Sequence, residues 1–286
     1  MTVANSLQRQ RDTGTSFPAF IKSEGVMRGL VKTLGSETKK SEFVSSVISA
    51  VQTNPQLQKC EFNSIINCAL LGNSLKLAHS PQLGQYYMVP FGNKAQFICG
   101  YKGYIQLASR SGDYKKLNVV AVKRGELIKY DPFNEEIEVN PIIDPLEREN
   151  AETIGYYAFF ELVNGFKKTM YWSKEKMTQH GKTYSKSFNS PSSYWQKAFD
   201  GMAFKTMLRQ LISKWGPMSI DMQKAYEHDM SAINNDGSID YIDNPNVAVD
   251  DTESKQPQQE YIEQTASEEM SPQPQMQAVY EDDPMA

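Results

Sequence analysis

Cysteine and histidine are scarce in this chain of 286 residues: Cys60, Cys68 and Cys99, and His79, His180 and His228. An odd, widely spaced set of thiols argues against a disulfide framework, and no Cys/His spacing matches a zinc site. No window of about 18 consecutive apolar residues occurs, so no membrane span is expected. The segment from Met1 to Phe17 is polar and lacks the apolar core of a signal peptide, which reads as a cytoplasmic protein. The phosphate-cradling pattern G-x-x-x-x-G-K-[ST] is missing, as is a G-x-G-x-x-G after a strand, so neither an ATPase nor a dinucleotide enzyme is expected. No Ser/His/Asp or Cys/His arrangement stands out. No catalytic residue, metal or cofactor is therefore assigned.

What is present is a composition of 40% hydrophobic and 22% charged residues, enough for a sizeable core. The net charge of −4 conceals a split. From residue 236 onward thirteen acids face the single base Lys255, a charge of −12 that leaves +8 on residues 1–235. A basic body with an acidic tail points to a polyanionic partner for the body.

Along the chain, residues 1–16 are polar and aperiodic and are expected to be disordered. Residues 17–80 read as a helical region: an apolar stripe after Phe17-Pro18, a helix capped by Ser41 and running to Thr53, and a helix from Glu61 to Leu71 stopped at Gly72. Residues 81–230 change to strands. Gln85–Phe91 and Ala95–Cys99 flank the turn signal Gly92-Asn93, a helix spans Tyr101–Arg110, and a long strand runs from Leu117 to Lys129 with Gly125 breaking it. Residues 131–152 read as a loop rich in proline and acids. Ile154–Leu162 and Phe166–Trp172 pair across Asn164-Gly165, Ser173 caps a short helical turn, residues 181–192 read as a mobile loop, and a long helix covers Ser193–Lys214. From residue 231 to 286 a disordered acidic tail is expected. The order strand, strand, strand, helix gives an α+β fold: a small antiparallel sheet with packed helices.

Two stretches concentrate positive charge. Between Lys94 and Lys129 the bases Lys94, Lys102, Arg110, Lys115, Lys116, Lys123, Arg124 and Lys129 outnumber the acids to give +6. On the helix at 101–111, Lys102, Gln106 and Arg110 lie four apart and form one stripe, in which cations give affinity for phosphate and an amide adds directional hydrogen bonds. Between Lys167 and Trp215 the net charge is +8, with aromatics interleaved. Ring stacking contributes roughly 1–3 kcal/mol per base and tolerates any sequence. Trp172, Trp195 and Phe199 read as core, and Tyr184 and Phe188 as stacking candidates. Lys186, Lys197, Lys205 and Arg209 complete the second group, and Gln96 joins the first. An ordinary solvated face remains the alternative for each stripe. The fragment Asp113-Tyr114-Lys115 leaves a metal-dependent nuclease open as another reading, although Gly112-Asp113 also reads as a turn.

These segments resemble the RecT family. Leu83-Gly84-Gln85-Tyr86-Tyr87-Met88-Val89-Pro90-Phe91-Gly92-Asn93-Lys94 is similar to its LG-x-x-Y-x-x-PFGNK signature. Gln96 followed by Gly100-Tyr101-Lys102-Gly103, Leu107-Ala108 and Arg110-Ser111-Gly112 is similar to its Q-x-x-x-GY[KR]G-x-x-x-LA-x-RSG run. Trp195, Met202-Ala203, Lys205-Thr206, Arg209 and Leu211 follow its W…MA-x-KT-x-x-R-x-L helix, so the similarity spans about residues 40–220. Paired bases found in some relatives are lacking here, where Ser109 precedes Arg110 and Phe204 precedes Lys205. The resemblance implies an annealing fold shared with Redβ-like proteins and ATP-independent annealing of single-stranded DNA in phage recombination. It also implies rings or helical filaments on DNA and annealed duplex, with a partner exonuclease and a host single-strand-binding protein. A passive strand binder is the neighbouring alternative. The acidic tail reads either as a solubilising segment or as a competitor for the basic groove.

Overall fold

The computed structural model describes residues 16–191, 193–233 and 239–241. The expectations for residues 1–15 and for the acidic tail beyond 241 lie outside them.

Residues 17–74 are mainly helical as their periodicity requires: α1 (Phe17–Ile21), α2 (Glu24–Leu34), α3 (Glu37–Thr53) and α4 (Phe62–Ser74). Two details differ from the sequence expectation. The cap of α3 is Ser36, whose hydroxyl accepts from the Lys39 amide at 3.2 Å, while Ser41 donates back to the Glu37 carbonyl inside the helix. Gly72 does not stop α4. It lies against the ring of Tyr86, where a Cβ would sit 2.4 Å from that ring, so its conservation of space rather than its flexibility matters.

The hairpin β1 (Tyr86–Phe91) and β2 (Lys94–Cys99) turns at Gly92, whose φ of +58° suits glycine in the first central position of a tight turn. Tyr86, Met88, Ala95, Phe97 and Cys99 alternate onto the face that packs on the helices, while Tyr87 points the other way. Then come α5 (Tyr101–Ser111), β3 (Tyr114–Lys123), the small hairpin β4 (Leu127–Asp131) and β5 (Glu136–Val139), α6 (Pro145–Asn150), β6 (Thr153–Leu162), β7 (Lys167–Ser173), α7 (Lys174–Tyr184), α8 (Tyr194–Lys197), α9 (Phe199–Trp215), α10 (Ile220–His228), β8 (Ser231–Ile233) and β9 (Ile239–Tyr241). The antiparallel sheets run β1-β2-β8-β9, β3-β6-β7 and β4-β5. This is the α+β class expected.

The excursion at 131–152 is more ordered than its prolines imply. Glu126 is buried and organises it: its carboxylate receives Arg148 at 2.6 Å and the amides of Lys123 and Ile142. Burial would push the Glu126 carboxyl up, but these donors outweigh it and hold it below the usual range. The expected long strand ends at Lys123 because Gly125 takes φ +92°. The expected long helix breaks at Ala198, which leaves helical geometry at φ −149°, ψ 59° and divides α8 from α9. The tail boundary at 231 shifts, since β8 pairs with β2 through Phe97 and Ser231.

Two apolar cores result. One joins the N-terminal helices, the first hairpin, α5 and α10; the other joins β3, β6, β7 and α7. Helix α9 serves both. Ala203, Met207 and Leu211 fall on one stripe and enter the second core, whereas Leu208 and Ile212 fall on the next stripe and enter the first.

Candidate nucleic-acid interface

The third stripe of α9 carries Lys205 and Arg209, four residues apart. The sequence places both on a DNA-facing surface. The structure corrects this: the side chains are 5% and 13% exposed and converge on Asp229, which is fully buried. Lys205 Nζ reaches Asp229 Oδ1 at 2.8 Å and Arg209 reaches Oδ2 at 2.6 Å. Asp229 also accepts the Cys99 amide at 2.9 Å and the Tyr104 hydroxyl at 3.3 Å, and the Arg209 guanidinium lies 4.0 Å from the ring centre of Tyr226. One carboxylate thus ties α9 to α5, β2 and α10. Sequence reasoning missed Asp229 because Lys205 and Arg209 lie 24 and 20 residues away, Cys99 and Tyr104 lie 130 and 125 away, and nothing local marks it.

Three other candidates are also repositioned. Gln96 is 1% exposed, because Met230 and β8 cover it and its amide donates to the Met230 carbonyl. Phe188 is buried against Trp195, with ring centres 5.5 Å apart, and fits over Gly181, where a Cβ would meet its ring at 2.5 Å. The expected mobile loop therefore has an anchor, and α7 extends to Tyr184. Arg110 turns from its stripe to donate to the Leu75 and Lys76 carbonyls beyond the last turn of α4, at 2.6 and 3.2 Å, with Asp221 3.6 Å away.

The remaining cations divide by partner. Lys115 and Lys116 approach Glu161 at 2.7 and 3.7 Å, and the hydrogen bond from Lys115 lowers the Glu161 carboxyl. Arg124 pairs with Glu152 at 2.7 Å, and Lys123 donates to the Ala151 carbonyl at 2.9 Å. Lys94 is half-buried beside the first hairpin turn. Lys102, Gln106, Lys186 and Lys197 are exposed, and no ion pair holds these lysines among the described residues.

Lys102 lies beside rings that the fold brings together: a Cβ on Gly84 would meet both its side chain and the Tyr87 hydroxyl, at 3.3 and 3.0 Å. Tyr87 leaves the outer face of β1 and meets Tyr194 at the start of α8, with ring centres 5.7 Å apart. Tyr101, first in α5, packs edge-on to Phe204 of α9 at 5.5 Å. Burial, and then the neighbouring Tyr194 and Tyr101 hydroxyls, raise the Tyr87 phenol, so it stays neutral. The glycines of the Gly100-Tyr101-Lys102-Gly103 run hold this corner tight. A Cβ on Gly100 would lie 2.2 Å from the Gly84 carbonyl oxygen, and one on Gly103 would lie 2.1 Å from that of Gln85. A second strip of rings, Trp172, His180 and Tyr184, follows α7 with centres 5.2 and 4.6 Å apart and Lys176 4.6 Å over Trp172. Tyr184 therefore ends a cluster of mutually tilted rings at the close of α7 rather than standing alone in a loop. Asp113 occupies the turn between α5 and β3, and among the described residues no group of three or more His, Cys, Asp or Glu could hold a metal ion.

The α+β body presents lysines and partly exposed rings, the two features that single-strand binders combine. The chain belongs to the RecT family, whose model matches residues 41–271, and that family anneals single-stranded DNA in recombination. It is 37% identical over 270 residues to YqaK of Bacillus subtilis (strain 168), a protein described as uncharacterized, covering 90% of this chain and 92% of that one. It is 27% identical over 237 residues to Protein RecT of Escherichia coli (strain K12), covering 77% and 86%. No helix among the described residues is long and apolar enough to cross a membrane.

Proposed function

We propose that this chain anneals complementary DNA strands without ATP, as an oligomer on the DNA in the cytoplasm of a bacterial host, after a partner exonuclease has exposed the strand. The reading rests most on the corner where Tyr87 meets Tyr194 and Tyr101 packs on Phe204, beside Lys102. Lysine neutralises phosphates and releases counterions, and the rings offer faces to bases of any sequence. A second strand is then tested by pairing. Each correct stacking step returns roughly 1.4 kcal/mol, so the complement supplies the driving force and no hydrolysis is required. Lys186 and the rings of Trp172, His180 and Tyr184 offer a further basic and aromatic stretch.

The test mixes the full chain with two complementary oligonucleotides without ATP, with and without magnesium, and follows duplex formation and strand length together. Faster duplex formation with intact strands is the expected result. Binding without acceleration would leave a strand protector, and magnesium-dependent shortening would replace the proposal with a nuclease.

A further inference from the structure

Lys76 stands where glycine is usual. The end of α4 closes with the Leu77 amide on the Gly72 carbonyl and the Lys76 amide on the Asn73 carbonyl, both at 2.9 Å. That pair of bonds puts Lys76 in the left-handed position that commonly holds glycine, at φ +53°. A residue with a Cβ is strained there, and a strained position that its surroundings maintain points to a role for the side chain. Arg110 maintains it, by donating to the Leu75 and Lys76 carbonyls at 2.6 and 3.2 Å.

Lys76 lines a cleft of about 790 Å³, within the size range of small-ligand sites. Lys39 and Glu42 reach it from one face of α3, Asn73 from the last turn of α4 and Gln106 from α5. All five residues are exposed, and among the described residues no ion pair holds either lysine. His79 also lines the cleft and is uncharged at neutral pH, because burial lowers it to about 4. Two ammonium groups against one carboxylate leave the lining at +1, which suits one phosphate and not a run of them. The amides of Asn73 and Gln106 add directional hydrogen bonds for a base or sugar edge. Gln106 lies four residues after Lys102, about 6 Å along α5 at 1.5 Å per residue, so the cleft adjoins the corner at Lys102 and Tyr87.

We infer that this cleft takes one nucleotide of the single strand, next to those held at the corner, with its phosphate between Lys39 and Lys76 and its base or sugar edge on Asn73 and Gln106. The inference rests on the single-strand reading proposed above. It assigns to DNA two lysines that lie outside both concentrations of charge in the sequence, and it explains why a lysine is kept in a position that glycine would fill without strain.

The salt dependence of binding to a fluorescent oligothymidylate tests it on the full chain, with urea midpoints as the folding check. Lys39→Gln combined with Lys76→Gln should weaken binding and lower the slope of log affinity against log salt by roughly 0.7, the share of one phosphate on a single strand. Lys76→Gly should also weaken binding while its urea midpoint does not fall, since glycine accepts the left-handed position freely. The charge-matched pair Lys22→Gln and Lys32→Gln, at the first two helices, should keep the wild-type slope; an equal loss there would mean a general charge effect and overturn the inference. Folded cleft variants with the wild-type slope, beside a Tyr87→Ala variant that binds weakly, would remove the cleft from the strand path and leave the single-strand reading standing. A wild type that does not bind the oligonucleotide would overturn both.

Discussion

Replacing Asp229 with asparagine should cost far more than replacing either of the cations it holds. One carboxylate lies between two positive charges in a site where Lys205 is 5%, Arg209 13% and Asp229 0% exposed. Removing one partner of a buried pair costs roughly 3–5 kcal/mol, because the charge left behind stays desolvated. Asparagine keeps an oxygen for the Cys99 amide, so that bond is spared and the loss comes from the uncompensated cations. A loss of about 4 kcal/mol is a large part of the roughly 5–15 kcal/mol that holds a domain folded. With a urea slope of about 2 kcal/mol per molar, the midpoint should fall by about 2 M. Lys205→Met should behave differently. It leaves Asp229 and Arg209 as a balanced pair, and its cost should be about 1–2 kcal/mol for a charged hydrogen bond partly offset by packing. The assay is urea unfolding followed by far-ultraviolet circular dichroism on both variants. A cost for Asp229→Asn below about 1 kcal/mol, or below that of Lys205→Met, would refute the charge argument. The salt dependence of DNA binding by Lys205→Met adds a second reading: a buried lysine leaves the slope unchanged, whereas a phosphate contact would remove roughly 0.7 from it.

Three further outcomes are expected. Tyr87→Ala and Tyr194→Ala should each weaken single-strand binding by about 1–3 kcal/mol regardless of sequence, as read by fluorescence anisotropy, and equal affinity in both variants would remove the corner from the site. Gly103→Ala should destabilise the fold by roughly 1–3 kcal/mol, because its Cβ would lie 2.1 Å from the Gln85 carbonyl oxygen; an unchanged urea midpoint would contradict that crowding. Burial lowers His79 from 6.5 to about 4, so the unfolded chain binds the extra proton between those values and stability falls as pH drops from 6.5 towards 4. The loss should approach about 3 kcal/mol at the lower limit and disappear in His79→Gln, and a wild type with the same urea midpoint at pH 7 and pH 5 would contradict it.

Local signals carried most of the architecture. Gly92-Asn93 and Asn164-Gly165 mark hairpins because a turn of that length needs a residue that tolerates positive φ, and Gly92 and Gly165 take +58° and +89°. The stripe on α5 is a matter of helical spacing: Lys102 and Gln106 are exposed, whereas Arg110 turns to the Leu75 and Lys76 carbonyls. What escaped was anything decided by a distant partner. Lys205 and Arg209 share a helix face in the sequence, but only the return of the chain at Asp229 turns that face inward. Glu126 and Arg148 give residues 131–152 a frame that prolines and acids alone do not announce. Tyr87 was visible as a residue of the signature, yet its role depends on Tyr194, more than a hundred positions later.

The late arrival of Asp229 has a consequence for synthesis. A ribosome at roughly 5–20 residues per second finishes the first hairpin and α5 well before it delivers the aspartate that closes onto them. Until residues 229–233 emerge, Lys205 and Arg209 have no carboxylate between them and β2 has no β8 along its edge. A nascent chain interrupted before that point leaves Lys205 and Arg209 without that carboxylate and one edge of β2 without its strand partner.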